Sequence, residues 1–158
     1  MTTRYSTKLC GSVFNIALLV GLGVVNTTAA AGQEGTAMEA KIMLQRAAAA
    51  VETNESAALK SFTAGTNGFK DRDLYVFCSD PDGKMTAHGA NAKLVGRNFC
   101  GFVDRAGKRF GQEMCSNANR TIKTVEYMWP RPGETAPSHK MSYYTMAGSQ
   151  ICGVGFYQ

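Results

Sequence analysis

The chain has 158 residues, with 17 Lys and Arg against 12 Asp and Glu and a formal net charge of +5. Hydrophobic residues make up 44% of the sequence, enough for the core of one ordinary domain. Only two cations and no acids precede residue 32, so the rest of the chain carries a charge of about +3. This mild and scattered charge argues against a dedicated nucleic-acid surface.

The first 31 residues have the pattern of a secretory signal peptide. Arg4 and Lys8 precede an apolar run at 13–25, and small residues lead up to Ala31. Cleavage near Ala31 would leave residues 32–158 as a single periplasmic or secreted domain. The apolar run is shorter than the roughly 20 residues that a bilayer span needs, although an uncleaved membrane anchor remains the alternative.

Two helices are predicted at the start of the domain. Thr36 and Glu39 fit a capping box, in which each side chain bonds the other residue's backbone amide. Apolar residues then recur at helical spacing as far as Val51. A second, short helix is predicted over residues 55–62, ended by the glycines at 65 and 68.

The pattern changes to strands after residue 71. The apolar run 74–78 predicts a strand covered on both faces, and the Asp-Pro-Asp-Gly turn at 80–83 returns the chain as a strand over 84–88. A helix is predicted over 108–118, followed by strands over 121–129, 141–146 and 151–157. Antiparallel hairpins with the helices gathered elsewhere indicate an α+β fold.

Four cysteines follow the predicted signal peptide, whereas Cys10 lies within it. Cys78, Cys100, Cys115 and Cys152 are an even set, typical of disulfides in an exported chain, and they allow three pairings. No two of them have the short spacing of zinc ligands. The sequence therefore predicts neither a metal nor a cofactor, and because no catalytic motif is present, it does not predict an enzyme.

Several stretches resemble one family when they are taken together and in order. DLYVFCSDPDGKMTAHGANAKLVGRNF resembles the first hairpin and following loop of single Cache domains. TVEYMWPRPGETAPSHKMSYY is similar to their third and fourth strands, and QICGVGFYQ to their last strand. The resemblance extends from about residue 36 to residue 158.

The resemblance implies a five-stranded antiparallel, PAS-like sheet behind a long N-terminal helix. In such extracytoplasmic sensor domains the sheet and overlying loops enclose a small-ligand pocket, and short carboxylates are frequent ligands. No output domain is recognised after the last strand, so we expect an exported, free-standing module that acts with a separate membrane sensor or transporter. An accessory protein with a closed pocket, or an unrecognised enzyme, are the alternative hypotheses.

The candidate ligand-binding residues lie on the predicted strands and the adjoining loop. Strand alternation places Tyr127 and Trp129 on one face, where they would stack on a ligand or fill the core. Lys140 would supply a charge for a carboxylate and Tyr143 a hydroxyl, but Lys140 could equally be an exposed lysine at a strand end. The remaining candidates are Tyr75, His88 and Arg97.

Each of these remaining candidates has a structural alternative. Tyr75 could fill the core, His88 could bond the next loop, and Arg97 could be a solvated loop residue.

Two further expectations concern the cysteines and the last strand. Cys100 and Cys115 flank the middle loop and helix, so a bridge between them would fix the lid of the pocket. Cys78 and Cys152 would be free and buried, or paired across neighbouring strands. Gly153 and Gly155 would clear space either for a ligand or for the long helix.

Overall fold

The computed structural model describes residues 1–3 and 34–158. Residues 4–31 of the predicted signal peptide, with the expected cleavage point near Ala31, lie outside the described residues. Within the described part, no helix has the length and apolar character that crossing a membrane requires.

The long helix α1 covers Ala37–Ala64 and contains both predicted helices. Its first turn has the predicted capping box: the Glu39 amide donates to Thr36 Oγ1, and the Thr36 amide donates to the Glu39 carboxylate. Asn54 leaves the helical conformation, and its side chain accepts the Ala57 amide at 3.0 Å. Asn54 thus caps a second helical stretch, so the two predicted helices join across a break.

Within residues 34–158 the sheet is antiparallel and has six strands. β4, β5, β6 and β2 are successive neighbours, and both β3 and the two-residue β1 pair with β2. The α+β fold class is confirmed, and β1 is the one strand that was not predicted. The strands are β1 (Lys70–Asp71), β2 (Leu74–Ser79), β3 (Met85–His88), β4 (Lys123–Pro130), β5 (Pro137–Ala147) and β6 (Gln150–Tyr157).

One face of the sheet packs against α1. The helix buries Ala40, Leu44 and Ala47 among its inward-facing residues, and small side chains let its backbone approach the strands closely. Cys78 and Cys152 are directly opposite each other in β2 and β6 and form a disulfide on this face. Of the two expected arrangements, the cross-strand pair is therefore the observed one.

The other face is covered by residues 89–109, here called the strap, and by helix α2 (Phe110–Asn117). The strap pairs with one edge of the sheet where the Met85 amide donates to the Arg97 carbonyl at 2.9 Å. It joins the opposite edge where the Met128 amide of β4 donates to the Asp104 carboxylate at 2.9 Å. The predicted Cys100–Cys115 disulfide ties the strap to α2. The candidate site lies between the strap and the sheet.

Candidate ligand-binding site

Three residues on adjacent strands form a row across the strap-facing side of the sheet. Tyr127 in β4 is opposite Lys140 in β5, and Lys140 is opposite Tyr157 in β6. Cross-strand partners share a face, so the hairpin registers bring two phenol rings to either side of one ammonium group. Tyr75 in β2 completes the group, because Lys140 Nζ donates to its hydroxyl at 2.7 Å.

Lys140 is the most unusual residue of this face, because its side chain is fully buried. Its Nζ also lies 3.4 Å from the Tyr157 hydroxyl, and 4.0 Å from the centre of the Tyr75 ring. Burial lowers the pKa of Lys140 from 10.5 to about 7, and the charge of Asp73 opposes this effect. No ion pair found in residues 34–158 includes Lys140. The site therefore holds a buried amine whose pKa is near neutral pH and which has no paired acid among residues 34–158.

Glycines in β6 make room for this arrangement. A Cβ atom at Gly155 would collide with the Lys140 side chain and the Ser142 hydroxyl, and one at Gly153 would collide with the Phe77 ring. The space beside these glycines is thus taken by the protein's own side chains on the strap-facing side. The glycines at these two positions therefore make room for these side chains. They serve neither of the two expected uses, which were to clear space for a ligand or for the helix.

Aromatic side chains fill the space between the row and α2. The rings of Tyr127 and Phe110 stack with centroids 4.0 Å apart, and the Tyr127 hydroxyl bonds Ser142 at 2.9 Å. Burial raises the pKa of Tyr127, so its hydroxyl stays neutral. The inner cavity left here measures about 10 Å³, no more than about one water molecule needs. It is lined by Tyr75, Phe77, Met85, His88, Phe99, Phe102, Phe110, Tyr127 and Trp129.

His88 closes the inner cavity beside Tyr75. Its Nδ1 accepts the backbone amide of Asn91 at 2.9 Å, which leaves the proton of the neutral ring on Nε2. Burial, followed by the charge of Lys140, lowers the pKa of His88 from 6.5 to about 3. His88 is therefore a neutral side chain that can offer one N–H. The expected bond to the next loop is present.

A larger cavity of about 340 Å³ lies next to the inner one. Tyr75, His88 and Trp129 border both cavities. The outer wall comes from strap residues 90, 91 and 94, and from the end of β4 and the turn that follows it, residues 130–134. The volume lies within the range of small-ligand sites, which is roughly 300–1,000 Å³.

Arg131, in the β4–β5 turn, places a second cation at this outer cavity. Its guanidinium lies over the Tyr157 ring at 4.6 Å and pairs with Asp73 at 3.2 Å and with Glu34 at 2.8 Å. The Tyr157 hydroxyl donates to the Pro130 carbonyl at 2.6 Å, which fixes the ring between the two cations.

The structure brings together five of the seven predicted site residues: Tyr75, His88, Tyr127, Trp129 and Lys140. Arg97 is not among them, since it is exposed on the strap and pairs with β3 only through its backbone. Tyr143 is not among them either, because it is three residues from Lys140 and strand alternation places it on the helix face. There it stacks with Phe156.

Sequence reasoning missed Tyr157 and Phe110. Tyr157 could have been found, because the short connection between the predicted strands 141–146 and 151–157 sets the β5–β6 register. Counting back from it pairs Lys140 with Tyr157. Phe110 has no comparable signal, since it begins α2 directly after a strap without periodicity.

The described residues contain no cluster of His, Cys, Asp and Glu that could hold a metal ion. The expected absence of a metal or cofactor stays a prediction.

A sheet with a long helix on one face and a ligand-sized cavity on the other defines a PAS-like sensor module. The family model for single Cache domain 2 matches residues 20–148, and the chain belongs to that family.

The relatives found are chemotaxis receptors. The chain is 33% identical over 90 residues to the methyl-accepting chemotaxis protein McpP of Pseudomonas putida, a match covering 55% of this chain and 16% of that protein. The chain thus spans only a small part of that receptor.

Solved structures show the same fold. A methyl-accepting chemotaxis protein from Vibrio parahaemolyticus superposes with a TM-score of 0.64 and 21% identity, covering 76% of this chain and 86% of the other. A periplasmic sensor domain of a chemotaxis protein gives 0.58 and 28%, covering 74% and 86%. A Cache chemosensory domain described in terms of carboxylic acid recognition gives 0.60 and 24%, covering 76% and 91%.

Proposed function

We propose that this chain is an extracytoplasmic sensory domain that binds a short organic acid between the sheet and the strap. The observation that carries the proposal is Lys140, a fully buried amine that no carboxylate of residues 34–158 pairs with. A buried ammonium group without an anion is costly, and an incoming carboxylate would remove that cost.

The contacts for an acid are arranged around Tyr75, which borders the outer cavity. Its hydroxyl accepts a hydrogen bond from Lys140 and can still donate its own proton. A carboxylate that meets this hydroxyl is thus linked to the charge of Lys140 through one hydrogen-bond chain. His88 offers its Nε2 proton beside it, and the half-buried Trp129 provides an apolar wall.

Binding of an acid would be coupled to a proton. An anion near Lys140 favours the charged amine, so its pKa rises above the ligand-free value of about 7. Above pH 7 the site therefore takes up a proton as it binds, and its affinity falls as the pH rises further. Near pH 6 the amine is already charged and this coupling disappears.

The relatives of the domain support a proposal about its surroundings. McpP and the solved neighbours are chemotaxis receptors, and one neighbour is described as a periplasmic sensor domain. We infer that this domain also works outside the cytoplasm, after removal of residues 1–31, and reports on its ligand to a membrane receptor or transporter. It is a binding module in this proposal, without an enzymatic step.

One observation favours a second candidate function. The inner cavity, at about 10 Å³, is already filled by aromatic side chains. A domain that stays closed in this way would act as an accessory protein through its surface rather than through a ligand.

Titration calorimetry with acetate, propionate and pyruvate tests the proposal, with acetamide and propionamide as neutral controls. The acids should bind and the amides should not. Lys140→Met should weaken binding by roughly 1.5–3 kcal/mol, because the Tyr75 hydroxyl that meets the acid loses its hydrogen bond to a charged group. Lys123→Met, on the neighbouring strand, is the matched control and should bind normally.

Tyr75→Phe keeps the ring and removes only the hydroxyl, so it serves as a second variant if Lys140→Met folds poorly. Acids that fail to bind the parent protein, or that bind both variants as tightly as the parent, would leave the closed accessory protein as the better description.

A further inference from the structure

Arg131 lies between the outer cavity and the chain that enters α1. It borders the cavity on one side, while on the other its Nη1 pairs with Glu34 at 2.8 Å and with Asp73 at 3.2 Å. Asp73 in turn accepts the backbone amide of Gly35 at 2.7 Å. Arg131, Asp73, Glu34 and Gly35 are here called the latch, because they fasten the segment before the Thr36 cap to the cavity wall.

The guanidinium has unused hydrogen-bonding capacity. Both acids of the latch meet Nη1, and in residues 34–158 no hydrogen bond is made from Nε or Nη2 of Arg131. Guanidinium groups hold carboxylates best with two parallel N–H donors. Arg131 can therefore receive a carboxylate from the cavity on a side that the latch does not occupy.

Arg131 and Lys140 are close enough to serve one ligand. The Arg131 guanidinium is 4.6 Å and Lys140 Nζ is 4.8 Å from the centre of the same Tyr157 ring. The distance between the two cations is therefore at most the sum of these two distances. Tyr75, which carries the hydrogen bond from Lys140, and Arg131 both border the outer cavity.

The two bonds of the latch differ in strength. The Glu34 side chain is 55% exposed, and exposed ion pairs contribute little, about 0–1 kcal/mol. The Asp73 side chain is only 12% exposed and also holds the Gly35 amide. A carboxylate bound on the free side of Arg131 adds a negative charge next to both acids of the latch. Because the Glu34 pair is the weaker of the two, this repulsion releases Glu34 before Asp73.

From these contacts we infer that Arg131 binds a second carboxylate group, and that the site is selective for short dicarboxylic acids. One carboxylate meets the Tyr75–Lys140 pair and the other meets Arg131, which then releases Glu34. Occupancy of the cavity is in this way coupled to the seating of the segment that enters α1. The inference deepens the proposed function and rests on it.

Calorimetry with succinate and succinamate tests the selectivity, because these probes differ only in the charge at one end. The parent protein should bind succinate roughly 10- to 100-fold more tightly. Arg131→Gln should bind both equally, and it should lose much less affinity for propionate than for succinate. Arg72→Gln is the matched control: Arg72 also ties this region to α1, through Glu39 and the Glu34 carbonyl, but does not border the cavity.

Two further measurements test the coupling. Glu34→Gln removes the charge that repels a second carboxylate at Arg131 and should raise the affinity for succinate several-fold. Amide hydrogen exchange at residues 34–36 should quicken when succinate saturates the parent protein, but not in Arg131→Gln.

The outcomes separate the two proposals. If propionate binds through Lys140 but succinate and succinamate bind alike, or Arg131→Gln keeps the preference for succinate, the inference is wrong and the proposed function stands. If succinate binds selectively while exchange at residues 34–36 stays unchanged, the latch is not coupled to the cavity. If no acid binds, both proposals fail.

Discussion

The two faces of the sheet use the same strands in different ways. On the helix face, small and aliphatic residues of α1 pack against alternate strand residues, and a disulfide crosses β2 and β6. On the strap face, the intervening residues are aromatic rings, a buried amine and hydroxyl groups, covered by a strap instead of a long helix. The comparison indicates that one face mainly stabilises the domain, while the other carries recognition.

Removing the disulfide on the helix face is expected to change the free energy of unfolding more than any other variant considered below. Cys78 and Cys152 are 74 residues apart, and cross-linking a loop of this length stabilises by about 4 kcal/mol in the chain-entropy model. The double variant Cys78→Ala/Cys152→Ala should lose about that much in denaturant unfolding.

The Cys100→Ala/Cys115→Ala pair, with a separation of 15 residues, is the control and should lose about 3 kcal/mol. Acid binding should weaken only in this second variant, because its bridge holds the strap. Equal effects of both variants on binding would contradict the division between the faces.

Truncating one core side chain on each face gives the next largest effect. Leu44→Ala on α1 and Phe110→Ala in α2 should each cost about 3 kcal/mol, since both side chains are fully buried. Only Phe110→Ala should also change selectivity, because it removes the ring stacked on Tyr127 and enlarges the inner cavity.

Phenylacetate is a suitable probe for this difference, measured as the shift in melting temperature. It should stabilise Phe110→Ala and leave Leu44→Ala and the parent unaffected. If Leu44→Ala responds in the same way, the helix face is not separate from recognition.

The smallest expected effect is a pH dependence of folding stability that is caused by the titration of Lys140. Because its pKa is about 7 in the fold and near 10.5 when unfolded, the unfolded chain binds more protons between these values. The stability of the ligand-free domain should therefore rise with pH from 7 to 9, by up to about 2 kcal/mol.

Urea unfolding at pH 7, 8 and 9 measures this, and Lys140→Met should abolish the rise. The window avoids the buried tyrosines, whose raised pKa values act above pH 10, and His88, whose lowered pKa acts below pH 6.5. If the rise in stability persists in Lys140→Met, a group other than Lys140 causes it.

Local signals made much of the fold predictable. The Thr36 capping box, the break before residue 55 and the turn at 80–83 each depend on a few adjacent residues, and all are present. The site was predictable only where strand alternation applied, as for Tyr127 and Trp129.

Lys140 and Tyr143 could not both have faced a ligand, since alternation separates them. The filling of the inner cavity could not be predicted, because Phe99 and Phe110 come from the strap and its junction with α2, where spacing carries no information about direction.

Asp104 has a consequence beyond holding the strap in place. β4 is the last strand on its side of the sheet, and the free amides of such a strand can recruit a strand from another molecule. The Asp104 carboxylate occupies the Met128 amide and places a negative charge and a loop along that edge. The hydrogen bond between Asp104 and Met128, which positions the strap, thus also hinders edge-to-edge aggregation of the domain.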